Sequence, residues 1–280
     1  MLIQKIGSHD MNIAYVSCMP KDRDMILLMD KSDLLFDPET HAPFSYGDIR
    51  EESFMKGENV VYVFSLDNRR VFTAVNVPSD FSEKCEHVFV RDLGKNHPEL
   101  QLAGATVMHL KTWYKTHQYC GCCGGKNHHD MAERAMRCEK CDHLTFPVIC
   151  PAIIVAVIDK ENDRILLTRS ARNKNSIFSL IAGFTEIGET LEQTAAREAM
   201  EETGVKVKNI RPYINQPWGF SSSLMCGFFA ELDGSPELHI QQEEISEARW
   251  FDRDQMPVND SPIDITHHMM EMWRQRKVDF

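Results

Sequence analysis

The sequence contains no apolar stretch of the roughly 20 residues that a transmembrane helix requires. Its longest apolar run, residues 146–158, is interrupted by two prolines and a cysteine. The first twelve residues also lack the apolar segment that is typical of a secretory signal. We therefore expect a cytoplasmic protein that has no membrane segment.

Positive charge is scarce relative to negative charge. The chain has 31 Lys and Arg residues against 42 Asp and Glu residues, which gives a formal net charge of −11. This balance argues against broad electrostatic capture of duplex nucleic acid or of anionic membranes, and it favours acidic clusters that hold cations. A length of 280 residues leaves room for two domains and a small module.

Internal repeats and low-complexity segments are also absent, so the domain organisation depends on changes of pattern along the chain. Apolar runs at 26–29 and 34–36, and again at 60–66 and 71–77, are each separated by four polar residues and predict two hairpins. From Pro98 an apolar periodicity continues to His117 and predicts a helix.

Two later changes of composition mark the domain boundaries. Glycine and cysteine dominate from Tyr119. From Ile153 the apolar pattern is typical of a buried strand, and a return strand is predicted at 164–168. We therefore predict an α/β protein with an N-terminal α/β domain at 1–115, a small cysteine module at 116–148 and a second α/β domain at 149–280.

Nine cysteines are an odd number for a disulfide framework, and five of them lie within 22 residues. Two C-x-x-C pairs, separated by fourteen residues, have the spacing of a zinc ribbon. Four thiolates complete a tetrahedral shell and leave no position for a catalytic water, so the predicted zinc is structural. Cys122 could replace a neighbour as ligand, and buried or redox-active cysteines are the alternative. The predicted zinc ligands are Cys120, Cys123, Cys138 and Cys141.

The second α/β domain contains a glutamate-rich helix. Thr190 is a suitable N-cap and Gly204 a suitable C-cap, and we expect an apolar face formed by Leu191, Ala195, Ala199 and Met200. Glu198, Glu201 and Glu202 lie three and four residues apart, so their carboxylates share one side of the helix. Such clustering favours a site for hard divalent cations, although a solvated acidic face is the alternative.

The complete pattern G-x5-E-x7-R-E-U-x-E-E-x-G-U, from Gly183 to Val205, resembles that of the Nudix hydrolases. The resemblance implies an α/β/α sandwich that binds Mg²⁺ or Mn²⁺ and hydrolyses a nucleoside diphosphate linked to another group. It also implies that Arg197 orients carboxylates and that Glu189 braces the loop before the helix. The implied metal-holding groups are Glu198, Glu202 and the main-chain carbonyl of Ala182. Glu201 is our first choice for the catalytic base, and Glu202 is the second.

The segment after the helix resembles the S-Q-P-W-P-F-P-x-S array of the NADH pyrophosphatase subfamily, which also carries a four-cysteine zinc ribbon. The array's first serine is Asn215 here, and two of its prolines are Gly219 and Ser221, which frees the backbone and puts substrate selectivity in question. The resemblance implies that the dinucleotide contacts the segment formed by Gln216, Pro217, Trp218, Gly219, Phe220, Ser221, Ser222 and Ser223.

Several individual residues outside this segment also match the subfamily. The resemblance implies that Phe184 and Phe146 sandwich the nicotinamide, with Phe146 donated by the partner subunit, and therefore implies a homodimer. Glu244 matches an additional metal-binding carboxylate, with Glu243 as its rival. The remaining matched substrate-binding positions are Arg91, Glu133 and Thr266.

These residues predict a metal-dependent hydrolase that cleaves the pyrophosphate of NAD(H) into nicotinamide mononucleotide and AMP. The same chemistry would remove an NAD cap from the 5′ end of RNA, and the sequence does not separate the two substrates. Other dinucleotides such as ADP-ribose are an alternative, given the altered array. A non-enzymatic nucleotide sensor or an RNA-binding zinc-ribbon protein is the rival from another class, against which the complete set of glutamates argues.

Overall fold

The computed structural model describes residues 2–172, 177–257 and 263–278. The chain divides into two compact units. One comprises Met1–Gln4, Ile149–Trp218 and Ser223–Phe280, and the other comprises Lys5–Val148 and Gly219–Ser222. Within the described ranges, no helix is long and apolar enough to cross a membrane.

The unit that begins at Lys5 contains two small sheets and a long helix. One sheet has the strand order β1-β6-β7-β2-β5, and the other has the order β3-β4-β8. Short 3₁₀ helices span Gly57–Asn59 and Val90–Lys95. The strands are β1 Met11–Asn12, β2 Met25–Ile26, β3 Leu28–Asp30, β4 Asp33–Phe36, β5 Phe44–Ser45, β6 Val60–Leu66, β7 Arg69–Ala74 and β8 Glu86–Phe89, and the helices are α1 Tyr46–Ile49, α2 Ser79–Ser82 and α3 Pro98–Thr116.

Both predicted N-terminal hairpins are present. β6 and β7 pair with Leu66 opposite Arg69, and Asp67 and Asn68 have φ values of 50° and 62°. Two successive residues with positive φ are typical of a type I′ turn, whose backbone twist matches the twist of the two strands that it connects. The predicted helix from Pro98 is also confirmed as α3.

The predicted strand at 26–29 is divided between the two sheets. Ile26 pairs with β7 in one sheet, whereas Leu28 pairs with β4 in the other. Ile26 and Leu28 pack into one hydrophobic cluster, and Leu27 and Met29 pack into another. Because the run is buried on both sides, it can leave one sheet and enter the next without exposing apolar surface.

The cysteine module forms a three-stranded antiparallel sheet in the same compact unit. Its strands are β9 Asn127–His129, β10 Met136–Cys138 and β11 Leu144–Thr145, with β10 in the middle. The first C-x-x-C pair lies in the loop before β9, and the second begins at Cys138, the last residue of β10, and ends in the loop that follows. The short sheet therefore brings together two loops that are distant in sequence.

The other unit is an α/β/α sandwich, as the resemblance implied. Its mixed sheet has the order β15-β16-β12-β13-β17, and β14 pairs with β12. β12 alternates between two cores, with Ile154 and Ala156 facing the α5 side and Ile153 and Val155 facing the α4 side. The elements are β12 Cys150–Asp159, β13 Arg164–Ser170, β14 Ile181–Phe184, α4 Leu191–Thr203, β15 Val207–Trp218, β16 Ser223–Leu232, β17 Ile245–Asp252 and α5 Ile265–Arg274.

Candidate active site

Helix α4 carries the candidate catalytic residues, and both of its ends agree with the sequence prediction. The Thr190 hydroxyl accepts a hydrogen bond from the backbone N–H of Gln193 at 3.2 Å, and the Gln193 side chain accepts one from the Thr190 N–H at 2.8 Å. Gly204 ends the helix in the left-handed conformation with φ 74°. These caps satisfy backbone groups that a helix end leaves unpaired.

The predicted apolar face of α4 is wrong at one position. Met200 is 39% exposed, whereas Glu198 and Glu202 are buried beside Ala195 and Ala199. At 100° per residue, Met200 lies about 180° from Leu191 around the helix, whereas Glu198 and Glu202 lie within about 20° of Leu191. The buried face of α4 therefore includes two carboxylates.

Glu198 lies directly beneath Gly183, the last but one residue of β14. A Cβ atom built on Gly183 would lie 2.1 Å from both Cδ and Oε1 of the Glu198 carboxyl group. No side chain tolerates such a contact, so glycine is required for this carboxylate to occupy its place. The close approach gives a physical reason for the first residue of the motif.

Arg197 connects the carboxylates of this region. Its guanidinium donates to Glu189 Oε1 at 2.7 Å, to Glu198 Oε1 at 2.7 Å and to Glu201 Oε2 at 3.0 Å. It also donates to the main-chain carbonyl of Phe184 at 3.0 Å. One planar group thus holds three carboxylates and the end of β14, and the orienting role of Arg197 in the reaction stays a prediction.

Glu189 braces the loop that joins β14 to α4. Besides pairing with Arg197, it accepts hydrogen bonds from the Thr194 hydroxyl at 2.9 Å and from the backbone N–H of Glu186 at 3.0 Å. The bond from Arg197 is the largest of the effects that lower the pKa of Glu189 to about 2. Glu189 is therefore a charged structural anchor. Sequence reasoning did not identify Thr194, since a threonine inside a helix carries no signal of this contact.

Glu202 faces a cavity of about 590 Å³ that is also lined by Ala182 and Glu244. Three of the four predicted metal-holding groups thus surround one cavity. Glu202 is buried, and its Oε2 atom has no hydrogen-bond partner among the described residues. Burial, reinforced by the nearby charges of Glu198 and Glu244, raises the pKa of Glu202 to about 8. A buried acceptor without a donor is costly unless a cation or another partner satisfies it.

The chemistry of these groups fits a hard divalent cation. Burial is also the main cause that raises the pKa of Glu198, even though Arg197 acts in the opposite direction. Carboxylate and main-chain oxygens are the ligands that Mg²⁺ and Mn²⁺ prefer. Arg172, which also lines the cavity, donates to Glu244 Oε1 at 2.5 Å. Glu244 lines the cavity, whereas its rival Glu243 is not among the described lining residues, and the metal-binding role of Glu244 stays a prediction.

The four predicted zinc ligands form a compact cluster. The ligand atoms of Cys120, Cys123, Cys138 and Cys141 all lie within 4.8 Å of one another. Three Sγ–Sγ distances of 3.3, 3.5 and 3.8 Å are close to the ~3.8 Å edge of a tetrahedron with Zn–S bonds of ~2.3 Å. The backbone N–H groups of Cys122 and Lys140 donate to Cys120 and Cys138. This is a four-cysteine zinc site, from which the exposed Cys122 side chain is excluded.

Gln216 occupies an internal position rather than a surface loop. It lies near the end of β15, and its side chain is completely buried. Its amide nitrogen donates to the carbonyl of Ile263 at 2.8 Å, and its amide oxygen accepts from the N–H of Ile265 at 2.8 Å. Both polar ends are therefore occupied by the start of α5, in whose first turn the predicted residue Thr266 is also buried. These contacts give Gln216 a positioning role in this structure.

The rest of the predicted array forms the end of the β15–β16 hairpin. Pro217 and Trp218 complete β15, Ser223 begins β16, and Gly219–Ser222 form the connection that belongs to the other compact unit. There the guanidinium of Arg91 lies 4.8 Å from the centre of the Phe220 ring, so the structure brings these two predicted residues together. Ser222 has φ 56°, which is a left-handed backbone conformation.

Three predicted substrate-binding side chains are exposed. Phe184, at the end of β14, is 56% exposed, and Phe146, after β11, is 51% exposed. Glu133 is exposed in the ribbon, where its backbone N–H donates to Asp130. Phe184 belongs to the sandwich unit, whereas Phe146, Glu133 and Arg91 belong to the unit that begins at Lys5.

Comparison with known protein families identifies two domains in this chain. Residues 149–269 match the family profile of the NUDIX domain. This part of the chain is therefore a Nudix domain, as the glutamate helix predicted. Residues 115–146 match the NADH pyrophosphatase zinc ribbon domain, which gives the type of ribbon that precedes the Nudix domain.

Curated relatives resemble this chain over its C-terminal part. The NAD-capped RNA hydrolases NudC of Salmonella heidelberg (strain SL476) and of Escherichia coli O1:K1 / APEC are 44% identical over 171 residues. These residues are 61% of this chain and 65% of each relative, so the match spans less than two thirds of the relatives' length. A crystal structure of a NUDIX hydrolase from Nitrosomonas europaea covers 57% of this chain and 92% of its own, with 26% identity and a TM-score of 0.48.

Proposed function

We propose that this protein is a divalent-cation-dependent hydrolase that cleaves the pyrophosphate of NAD(H) into nicotinamide mononucleotide and AMP. The observation that carries the proposal is the buried Glu202 carboxylate, one oxygen of which has no hydrogen-bond partner among the described residues. Glu202 lines one cavity together with Ala182 and Glu244. The surrounding Nudix domain and the NADH pyrophosphatase ribbon support the choice of substrate.

Mg²⁺ or Mn²⁺ is the proposed catalytic cation, and Glu198, Glu202, Glu244 and the Ala182 carbonyl are its proposed ligands. When bound, such a cation neutralises phosphoryl charge and lowers the pKa of an attacking water. Arg197 would keep Glu198 in position through its bond of 2.7 Å. Gly183 contributes by leaving room for that carboxylate.

Glu201 is the proposed base. It is half-exposed, and a 3.0 Å bond from Arg197 ties its carboxylate to the rest of the site. In the proposed reaction Glu201 accepts a proton from water while the water oxygen forms a bond to one phosphorus. The bond between that phosphorus and the bridging oxygen breaks, and the leaving nucleotide keeps the bridging oxygen.

A direct experiment compares Glu201→Gln and Glu202→Gln in NADH hydrolysis with Mg²⁺, with products identified by mass spectrometry. We expect each variant to lose at least about 100-fold in kcat. Glu192→Gln is the matched control, since Glu192 is an exposed glutamate on the same helix. Full activity of both Glu201→Gln and Glu202→Gln would exclude the helix as the catalytic centre.

Removal of the NAD cap from RNA is a second candidate activity. It is favoured by the 44% identity to proteins named NAD-capped RNA hydrolase. The bond cleaved would be the same, so the two substrates compete for one site. The kcat/KM values for free NADH and for NAD-capped RNA, measured with one enzyme preparation, would rank them. A panel that includes ADP-ribose tests the alternative that the altered array suggests.

We also propose that the protein is a homodimer in which Phe146 of the partner subunit faces Phe184. Both rings are more than half exposed, and each presents an apolar face suited to stacking on a nicotinamide. Analytical ultracentrifugation of the full chain tests the dimer. A Phe146→Ala variant should raise KM for NADH without changing zinc content.

A further inference from the structure

The cavity beside Glu202 contains one basic group that none of the predicted roles uses. Among the described residues around it, Arg172 is the only basic one. A pyrophosphate carries negative charge that the acidic groups of this cavity would repel. Arg172 lines the same cavity as Glu202 and pairs with Glu244, which raises the question of what else its guanidinium binds.

Arg172 pairs with Glu244 through an exposed ion pair, in which a cation can replace the guanidinium at Glu244. The bond from Nη2 to Glu244 Oε1 measures 2.5 Å, but the two side chains are 73% and 38% exposed. An ion pair with this degree of exposure contributes little to stability. Glu244 is also a proposed ligand of the divalent cation, so a cation and Arg172 compete for the same carboxylate oxygens.

The backbone beside Arg172 is held more firmly than its side chain. The N–H of Ala171 donates to the main-chain carbonyl of Glu244 at 2.7 Å, and the N–H of Arg172 donates to the Ser170 hydroxyl at 3.2 Å. These bonds keep Arg172 at the rim of the cavity whichever group its guanidinium contacts. Arg197, by contrast, is occupied by three carboxylates and a carbonyl.

We propose that Arg172 is a substrate-binding residue that leaves Glu244 when a divalent cation binds there and then donates to the pyrophosphate. This inference rests on the proposed function. A guanidinium is suited to the exchange, since its planar set of donors matches a phosphate as well as a carboxylate. The exchange couples the two events, because cation binding at Glu244 releases the group that receives the phosphate.

The proposal predicts that Arg172→Gln binds Mn²⁺ more tightly and NADH more weakly than the parent protein. Without its guanidinium, Arg172→Gln no longer competes for Glu244, so Mn²⁺ should bind on the order of threefold more tightly. The same variant lacks a charged donor to the substrate, so KM for NADH should rise about tenfold. Its kcat should stay within about threefold of the parent value, because the carboxylates of α4 are unchanged. Arg172→Lys should recover part of the lost substrate affinity.

The test measures Mn²⁺ binding by electron paramagnetic resonance on protein that retains its zinc, and NADH hydrolysis with Mg²⁺. Arg249→Gln is the matched control, since Arg249 is an exposed arginine that pairs with Glu247 on neighbouring β17 and does not line the cavity. It should change neither affinity. An unchanged KM in Arg172→Gln, or weaker binding of both Mn²⁺ and substrate, would overturn the proposal.

A binding experiment separates this inference from the proposed function. Calorimetric titration of inorganic pyrophosphate in the presence of Mg²⁺ needs no turnover. If the parent protein does not hydrolyse NADH, the proposed function fails, but a weaker pyrophosphate affinity in Arg172→Gln still supports the role of Arg172. Equal pyrophosphate affinity in the two proteins would remove it.

Discussion

The zinc ribbon and the α4 cavity both gather groups that bind cations, but they do so in opposite ways. In the ribbon, four sulfur atoms converge within 4.8 Å, and backbone N–H groups already donate to two of them. At the cavity, Glu244 pairs with Arg172, and one oxygen of Glu202 has no hydrogen-bond partner among the described residues. On the same helix, Glu198 pairs with Arg197.

The difference separates a structural site from a candidate catalytic one. A closed shell of four thiolates leaves no position for water or substrate, so its metal can only hold loops together. Carboxylates around an open cavity leave room for both water and substrate. Burying these carboxylates is costly, because contacts within the folded protein do not pair all of their oxygens. Four variants test this contrast, and the largest expected effect comes first.

Removal of a zinc ligand should have the largest effect. A Cys123→Ser variant should lose its bound zinc and unfold the ribbon, because metal binding provides much of the folding free energy of such modules, about 10 kcal/mol or more in isolated zinc fingers. Zinc content and circular dichroism measure the result. Cys122→Ser is the matched control and should keep its zinc, since the exposed Cys122 lies outside the cluster. Loss of zinc from Cys122→Ser would contradict the ligand assignment.

A methyl group at Gly183 should disable the cavity while the ribbon stays intact. In Gly183→Ala the new Cβ would overlap the Glu198 carboxyl group, which lies 2.1 Å from that position. Displacing one proposed cation ligand should lower kcat/KM by about 100-fold or more. NADH hydrolysis and zinc content measure the two sites separately. Gly121→Ala has open space around it and should retain activity, so a matching loss there would argue against a local cause.

The buried acid Glu202 should make stability depend on pH. Its pKa is raised from 4.5 to about 8, so the neutral form is favoured in the folded protein. The stabilisation is complete below pH 4.5 and is lost as pH rises toward 8, so the free energy of unfolding should fall by about 2–4 kcal/mol across this interval.

Urea unfolding at several pH values, without added divalent cation, measures this slope. Glu202→Gln should flatten it, because glutamine does not ionise, and Glu192→Gln should leave it as in the parent protein. Added Mn²⁺ should reduce the slope in the parent, since a bound cation favours the charged carboxylate. An identical slope in Glu202→Gln would show that another group is responsible.

The smallest expected effect concerns the cap of α4. Thr190→Ala removes the hydroxyl that accepts from the Gln193 N–H at 3.2 Å and should lower the free energy of unfolding by about 1 kcal/mol. Thr190→Ser keeps the hydroxyl and should change stability by only a few tenths of that amount. Zinc content should not change in either variant. Equal losses in both variants would show that the methyl group, not the cap, is important.

Local features of the site could be predicted from the sequence. The ends of α4 at Thr190 and Gly204 depend on residues within one turn of the helix, and the cysteine spacing depends on the geometry of two short loops. The Nudix domain and the ribbon type follow from motifs whose members lie close together in the chain. Even there Met200 was assigned to the wrong face, because glutamates were not expected to share the buried one.

Contacts between distant segments could not be predicted. Gln216 is held by Ile263 and Ile265, 47 and 49 residues further along the chain. Arg172 and Glu244 are 72 residues apart, and no pattern around Arg172 indicates that β13 and β17 bring them together. The division of the 26–29 run between two sheets likewise depends on two cores that form elsewhere in the chain.

The sequence by itself determined which residues could hold zinc, where α4 begins and ends, and which carboxylates it carries. Only the tertiary structure decided that Glu198 lies under Gly183, that one oxygen of Glu202 has no partner among the described residues, and that Arg172 reaches Glu244. The reason is physical. Caps and ligand spacing arise from a few neighbouring residues, whereas burial and charge pairing arise when the sheet and helices pack together.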